Sequence, residues 1–172
     1  MVGFVDAYVQ SDWASDIAIA HSKGIDGFVS PPSFPPFFFP QFVLITKPYV
    51  QALNCDSQSA NTQQLTYAYT AAASHNTVLS PNQAPFNLFV SPDFMHYSTS
   101  DPTSVAGLLK PWLNESAQFQ YEGKPFVSSF MGQGVDWDSV RKQVGMDLYV
   151  VPYYPVSSAA VSDAGVDGLF SW

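Results

Sequence analysis

Three aspartates, Asp6, Asp56 and Asp93, each follow a segment whose residues predict a β-strand. In a parallel α/β barrel the carboxyl ends of the strands meet at one mouth, where the active site lies. Hydrolysis of a glycosidic bond needs one protonated acid and one carboxylate that activates water or attacks the sugar. Three aspartates on three different strands fit that chemistry, although an aspartate after a strand also serves as a cap or turn former.

Other side chains could contact a ligand near these aspartates. His96 follows a predicted strand, and together with Tyr8 and Trp137 it is a candidate sugar contact. The three histidines of the chain show no metal-ligand spacing. A single cysteine, Cys55, excludes an internal disulfide and a multi-cysteine zinc site. We therefore predict no metal and no cofactor.

The two glutamates of the chain, Glu115 and Glu122, stand in polar segments that precede a predicted strand. That position places them at the amino ends of the strands, away from the predicted mouth. Next to them, Asn114-Glu-Ser116 forms a glycosylation sequon, which has meaning if the protein is secreted.

Composition limits the kinds of partner. Charged residues make up 12% of the chain and aromatic residues 16%, which predicts a folded domain. The net charge of −8, with only 6 lysines and arginines, argues against a nucleic-acid partner. No apolar run is long enough to span a membrane, and no basic-then-apolar leader opens the chain. An acidic, aromatic-rich chain suits a neutral glycan, although acidity can also serve solubility alone.

Strand and helix patterns alternate along the chain, which is typical of an α/β fold. The predicted strands are Gly3–Tyr8, Ile25–Phe28, Asn87–Ser91, Lys124–Phe130, Leu148–Val151 and Gly168–Trp172. The predicted helices run from a Ser11 cap to a Gly24 stop, from Ser59 to about Ala73, from an Asp101-Pro102 start, from an Asp136 cap to Gly145, and over Ala159–Ala164.

Periodicity leaves two architectures open. One is an open doubly wound sheet that is complete at this length, and the other is a partial barrel. A finished eight-stranded barrel typically needs about 250 residues, whereas this chain has 172.

The segment 29–51 breaks the alternation. It is rich in proline and phenylalanine, which oppose a helix or central strand yet ask for burial. One interpretation is a long aromatic lid over the site. The other is a retained intron, because Val29-Ser30 and Val50-Gln51 can be encoded by consensus splice sequences. Joining Phe28 to Ala52 would give one continuous strand.

Three runs carry a resemblance to a known family: Gly123-Lys-Pro-Phe-Val-Ser128, Asp147-Leu-Tyr-Val-Val-Pro152 and Asp167-Gly-Leu-Phe-Ser-Trp172. Together they resemble the fungal α-1,3-glucanases, or mutanases, of glycoside hydrolase family 71, and the likeness covers nearly the whole chain outside 29–51. The resemblance favours a partial (β/α)8 barrel of about six parallel strands with helices, not closed. Residues 1–172 would form one such domain, interrupted by the insertion.

The family resemblance also implies a function. It suggests secreted enzymes that hydrolyse internal α-1,3-glucosidic bonds of cell-wall glucan without metal or organic cofactor. The family's Asp-x-x-Glu-type catalytic pair would lie beyond the equivalent of Trp172, so no residue here inherits that role. Asp93 carries over as a substrate-site residue, with Asp56 and Asp6 as further members.

Two departures from the family pattern fall at predicted strand ends. Family members usually read Phe-Glu-Gly where this chain has Phe130-Met131-Gly132, which removes a carboxylate. They commonly read Phe-Asp-Phe-Asn where this chain has Pro92-Asp93-Phe94-Met95, which keeps the aspartate and loses the amide.

Three functions follow as hypotheses. The first is an endo-α-1,3-glucanase of which this chain is an inactive fragment. The second is a non-catalytic glucan-binding remnant, and the third is a generic open-sheet binding domain. In the first two the partner is a polysaccharide, with no nucleic acid and no membrane, and the resemblance implies an extracellular location.

Overall fold

A computed structural model describes residues 7–24, 58–92, 94, 100–153 and 165–169, together with the backbone of 43–44. In chain order these residues form α1 (Gln10–Ser22), β1 (Val43–Leu44), α2 (Gln58–Thr77), β2 (Leu88–Phe89), α3 (Pro102–Leu109), β3 (Gln120–Tyr121), β4 (Lys124–Phe130), α4 (Trp137–Val144) and β5 (Tyr149–Tyr153). The predicted alternation of strands and helices is confirmed at the level of an α/β fold.

The strands pair mostly in parallel. β1 pairs with β2, and β4 pairs with β5 in a register that runs from Phe126–Tyr149 to Phe130–Tyr153. The residues after β2 extend this pattern, because the Ser128 and Phe130 amides of β4 donate to Val90 (3.3 Å) and Pro92 (2.9 Å). In the described part of the chain the strands form no closed barrel.

One antiparallel hairpin was not predicted. β3 pairs antiparallel with the start of β4, and the turn between them is Glu122-Gly123. Both turn residues have positive φ, 52° and 76°, as a two-residue hairpin of matching twist requires. The hairpin places Glu122 at the amino end of β4, as the sequence predicted.

Helix boundaries follow local capping chemistry. Asp136 accepts a hydrogen bond from the Ser139 amide (2.9 Å) and Gly145 ends α4 at φ 78°, so this helix matches its prediction. Asp101 likewise caps α3. The predicted cap at Ser11 is wrong. α1 begins one residue earlier, because the Asp12 carboxylate accepts from the Val9 amide (2.9 Å).

The helices pack on one face of the parallel strands. Val127 of β4 and Val150 of β5 are fully buried there, in one core with side chains from all four helices. The other face carries a smaller cluster, in which Phe89 and Phe119 pack with Phe126 and Tyr121. Alternate residues of each strand thus serve two different surroundings, as the pleat requires.

The predicted irregularity of 29–51 is wrong at two residues, because Val43–Leu44 forms β1. These residues lie in the proline-free run between Pro40 and Pro48, which is apolar and partly β-branched as strands are. The rest of the insertion lies outside the described residues. Whether it is a lid or a retained intron stays a prediction, and complementary DNA that retains its codons in every transcript would exclude the intron.

Several other predicted elements cannot be compared in full. Ala7 and Tyr8 are not in a strand, and neither are Gly168 and Leu169. The remaining parts of those two predicted strands, the strand Ile25–Phe28 and the helix Ala159–Ala164 lie outside the described residues. Where a last strand was predicted, the Asp167 and Gly168 amides donate to the Val150 carbonyl at 2.8 and 3.3 Å.

Two histidines link the last turns of α1 and α2. His75 Nε2 lies 3.1 Å from His21 Nδ1, and His21 Nε2 lies 3.2 Å from the Ala84 carbonyl. Both rings contact the ring of Phe86 edge-on. Burial lowers the pKa of His75 below its ordinary value of 6.5, and the neighbouring His21 lowers it further.

We expect the free energy of unfolding to fall as pH drops below about 6.5. A lowered pKa in the folded state means that the fold favours neutral His75, so this stabilisation is complete above the unfolded pKa and is lost as acid protonates the ring. Urea unfolding between pH 7.5 and 5.0 measures the effect. His75→Gln should flatten the dependence, and an equally steep profile in that variant would contradict the assignment.

Candidate functional site

The carboxyl ends of β2 and β4 are joined around one residue. The Phe130 amide donates to the Pro92 carbonyl, and the Phe94 amide donates to the Phe130 carbonyl, both at 2.9 Å. Pro92 and Phe94 are the chain neighbours of Asp93, which itself lies outside the described residues. The chain on both sides of this predicted substrate contact is therefore held at the end of β4.

An aromatic pair occupies the same edge. Phe130 and Tyr153 are register partners at the last positions of β4 and β5. Their rings stack with centroids 5.2 Å apart and planes 14° apart, and both side chains are half-buried. By strand alternation they lie on the face of Phe126 and Tyr149, opposite the helices. Stacked, partly exposed rings of this kind offer a flat apolar surface to a ligand.

The chain leaves β4 through an unusual turn. Met131 has φ 62°, a conformation that costs energy for a residue with a side chain, and its carbonyl accepts from Ser129 Oγ at 2.7 Å. Gly132 follows at φ 102°, and a Cβ there would lie 2.6 Å from the Phe94 ring. Only glycine lets this ring approach the backbone so closely. The turn and Phe94 thus shape the edge together.

Four of the six predicted site residues, Asp6, Asp56, Asp93 and His96, lie outside the described residues. Tyr8 is described, and its hydroxyl donates to Asp16 at 3.1 Å while its ring packs edge-on against Trp13. Its carbonyl accepts from Gln64 Nε2 at 3.0 Å. These contacts join Tyr8 to the α1–α2 pair, and the structure shows no approach of its side chain to the β2–β4–β5 edge.

Trp137 requires a correction. Its side chain is fully buried, with 0% of its surface exposed, and it packs edge-on against Phe94 with centroids 6.4 Å apart. A ring without exposed surface cannot stack on a sugar. Trp137 instead supports Phe94 from the helix side, and we do not retain it as a ligand contact.

Sequence reasoning missed three residues of this edge: Phe130, Met131 and Tyr153. A signal existed, because Phe126 and Phe130 share one strand face and Tyr149 and Tyr153 share another. Bringing the two pairs together depends on the β4–β5 register, which the pattern of either strand alone does not define.

Within the described ranges no group of three or more histidine, cysteine, aspartate or glutamate side chains could hold a metal ion. The helices of this part of the chain also include none that is long and apolar enough to cross a membrane.

Known proteins place the chain. The model of glycosyl hydrolase family 71 matches residues 50–172, well over half of the sequence. A mutanase of Penicillium rubens is 31% identical, and a glucan endo-1,3-alpha-glucosidase of Schizosaccharomyces pombe is 28% identical, each over 100% of this chain. An ascus wall endo-1,3-alpha-glucanase of Schizosaccharomyces pombe is 23% identical, also over 100% of this chain.

The chain spans only about a third of these relatives, 32%, 37% and 36% of their lengths. No solved structure matches it. The family match begins at residue 50, at the end of the proline-rich insertion, and continues through both strands and the turn that build the carboxyl edge. On this evidence the chain belongs to glycosyl hydrolase family 71.

Proposed function

We propose that this chain forms part of an extracellular endo-α-1,3-glucanase and that the carboxyl edge of β2, β4 and β5 binds the glucan. The observation that carries the proposal is the attachment of both neighbours of Asp93 to Phe130, beside the stacked ring of Tyr153. This arrangement puts a carboxylate-bearing segment next to an apolar platform. A sugar presents hydroxyls to the first and a C–H face to the second.

The proposed architecture is the partial (β/α)8 barrel of the sequence analysis. The parallel neighbours β2, β4 and β5 follow one another in chain order, with α3 between β2 and β4 and α4 between β4 and β5. Right-handed strand–helix–strand units of this type build such barrels. Asp6 and Asp56 are proposed as further substrate contacts on the same mouth, together with Tyr8 and His96.

Glucan binding is measured by co-sedimentation of the purified chain with insoluble α-1,3-glucan. Replacing both Phe130 and Tyr153 with alanine should weaken binding at least about tenfold, ~1.4 kcal/mol, because the apolar platform is removed. Tyr121→Ala is the matched control, since Tyr121 packs against Tyr149 at the opposite end of the strands, with centroids 4.5 Å apart. Equal loss in the control, or none in the double variant, would reject the platform.

The alternative is a protein that binds glucan without cleaving it. Met131 favours this alternative, because it stands at a strand end where the resemblance to the family leads us to expect glutamate. We propose that residues 1–172 alone bind glucan and release no reducing sugar from it, since the expected catalytic pair is not among them. Release of sugar that disappears in Asp93→Asn would overturn this proposal and make Asp93 catalytic.

A further inference from the structure

A second exposed feature lies between α3 and β3. The chain makes successive turns there, in which the Glu115 amide donates to Trp112 (3.0 Å) and the Gln118 amide donates to Glu115 (2.9 Å). Leu113 and Ala117, on either side of residues 114–116, are buried at 2% and 0% exposure. Asn114, Glu115 and Ser116 are all exposed. A firmly anchored turn thus presents three consecutive residues to solvent.

These residues form the one Asn-x-Ser/Thr triplet in the sequence, with glutamate rather than proline in the middle. Such a triplet is the acceptor for N-linked glycosylation in secreted proteins. We propose that Asn114 is an N-glycosylation site, an inference that rests on the extracellular location in the proposed function.

The chemistry is a glycosyl transfer. The co-substrate is an oligosaccharide joined through its first sugar carbon to a lipid diphosphate. The Asn114 side-chain nitrogen forms a bond to that carbon and loses one proton, while the carbon–oxygen bond to the diphosphate breaks. The lipid diphosphate leaves with the bonding electrons, so atoms and charge balance without an oxidant or metal redox step.

The position of the turn makes a glycan compatible with glucan binding. Ala117 accepts from the Leu88 amide at 2.8 Å, and Phe119 donates to the Leu88 carbonyl at 2.7 Å, so the turn adjoins the amino end of β2. Pro92, at the other end of that strand, lies four residues further on, a separation of about 13 Å at ~3.3 Å per residue. A glycan on Asn114 would project from the edge opposite the aromatic pair.

The test is expression of the full 172-residue chain behind a secretion signal in a eukaryotic host, followed by intact-mass measurement. One N-glycan is expected, lost in Asn114→Gln and Ser116→Ala and retained in Ser116→Thr. Asn82→Gln, an exposed asparagine outside any triplet, is the control and should keep the glycan. Because Asn114 is exposed, a peptide N-glycosidase should remove the glycan from the native protein and leave aspartate at position 114.

A wild-type chain that enters the secretory pathway with unmodified mass would overturn the proposal. Cell-retained protein is analysed as well, so poor folding of a variant cannot hide the modification. A glycan that native protein yields only after denaturation would contradict the exposed turn. The mass readout is separate from glucan binding, so a glycosylated chain that does not bind glucan would refute the proposed function and leave the glycosylation site intact.

Discussion

Arg141→Ala should lower the free energy of unfolding by about 2–4 kcal/mol, because it removes a mostly buried charge that several groups share. The guanidinium, whose side chain is 16% exposed, pairs with Asp167 at 2.8 Å. It also donates to the Leu148 carbonyl (2.9 Å) and to the Gly165 carbonyl (2.7 Å). The exposed partners Asp138 and Asp147, each at 3.2 Å, should add little.

The loss would extend beyond α4. Asp167 accepts from the Val150 amide at 2.8 Å with the oxygen that also binds Arg141, and its own amide donates to the Val150 carbonyl. Without the guanidinium, this carboxylate loses its cation while remaining beside β5. Arg141 thus fixes the segment 165–168 to the strand that ends in Tyr153.

Urea-induced unfolding of the two proteins gives the difference directly. Lys142→Ala is the matched control, because Lys142 is the next residue of α4 and is exposed, and its removal should stay within about 0.5 kcal/mol. Arg141→Lys should fall between the two, since lysine keeps the charge but not the planar set of donors. If Arg141→Ala and Lys142→Ala are equally stable, the shared contacts of Arg141 do not stabilise the fold.

The elements that sequence predicted best have local determinants. β4 and α4 match residue for residue, because Lys124–Phe130 alternates its apolar positions and Asp136 and Gly145 mark the ends of the helix. The β3–β4 turn also had a local signal, the dipeptide Glu122-Gly123, but glutamate is a poor marker of a turn that needs positive φ. Strength of punctuation, rather than length, separates these cases.

The candidate site was less predictable because it depends on contacts between strands. That the neighbours of Asp93 meet Phe130 follows from the spacing of β2 and β4, which no single segment encodes. Trp137 shows the opposite error. Its aromatic side chain suggested a sugar contact, whereas the apolar positions of its own helix, Val140 and Val144, already indicated the buried face.

That burial leads to the second large effect. Trp137→Ala should destabilise the chain by about 3–5 kcal/mol, because it removes a fully buried indole and leaves a cavity beneath Phe94. Val78→Ala is the control, since Val78 is 78% exposed and its truncation should change stability by less than about 0.5 kcal/mol. Thermal and urea unfolding of the three proteins measure these differences.

Trp137→Phe separates a core role from direct sugar contact. Phenylalanine keeps most of the apolar volume, so this variant should remain folded at low temperature with a smaller loss, about 1–2 kcal/mol. Its affinity for insoluble α-1,3-glucan, measured under conditions in which it is fully folded, should equal that of the unmodified chain. A tenfold weaker affinity with unchanged stability would show that the indole reaches the glucan, and would restore Trp137 to the site.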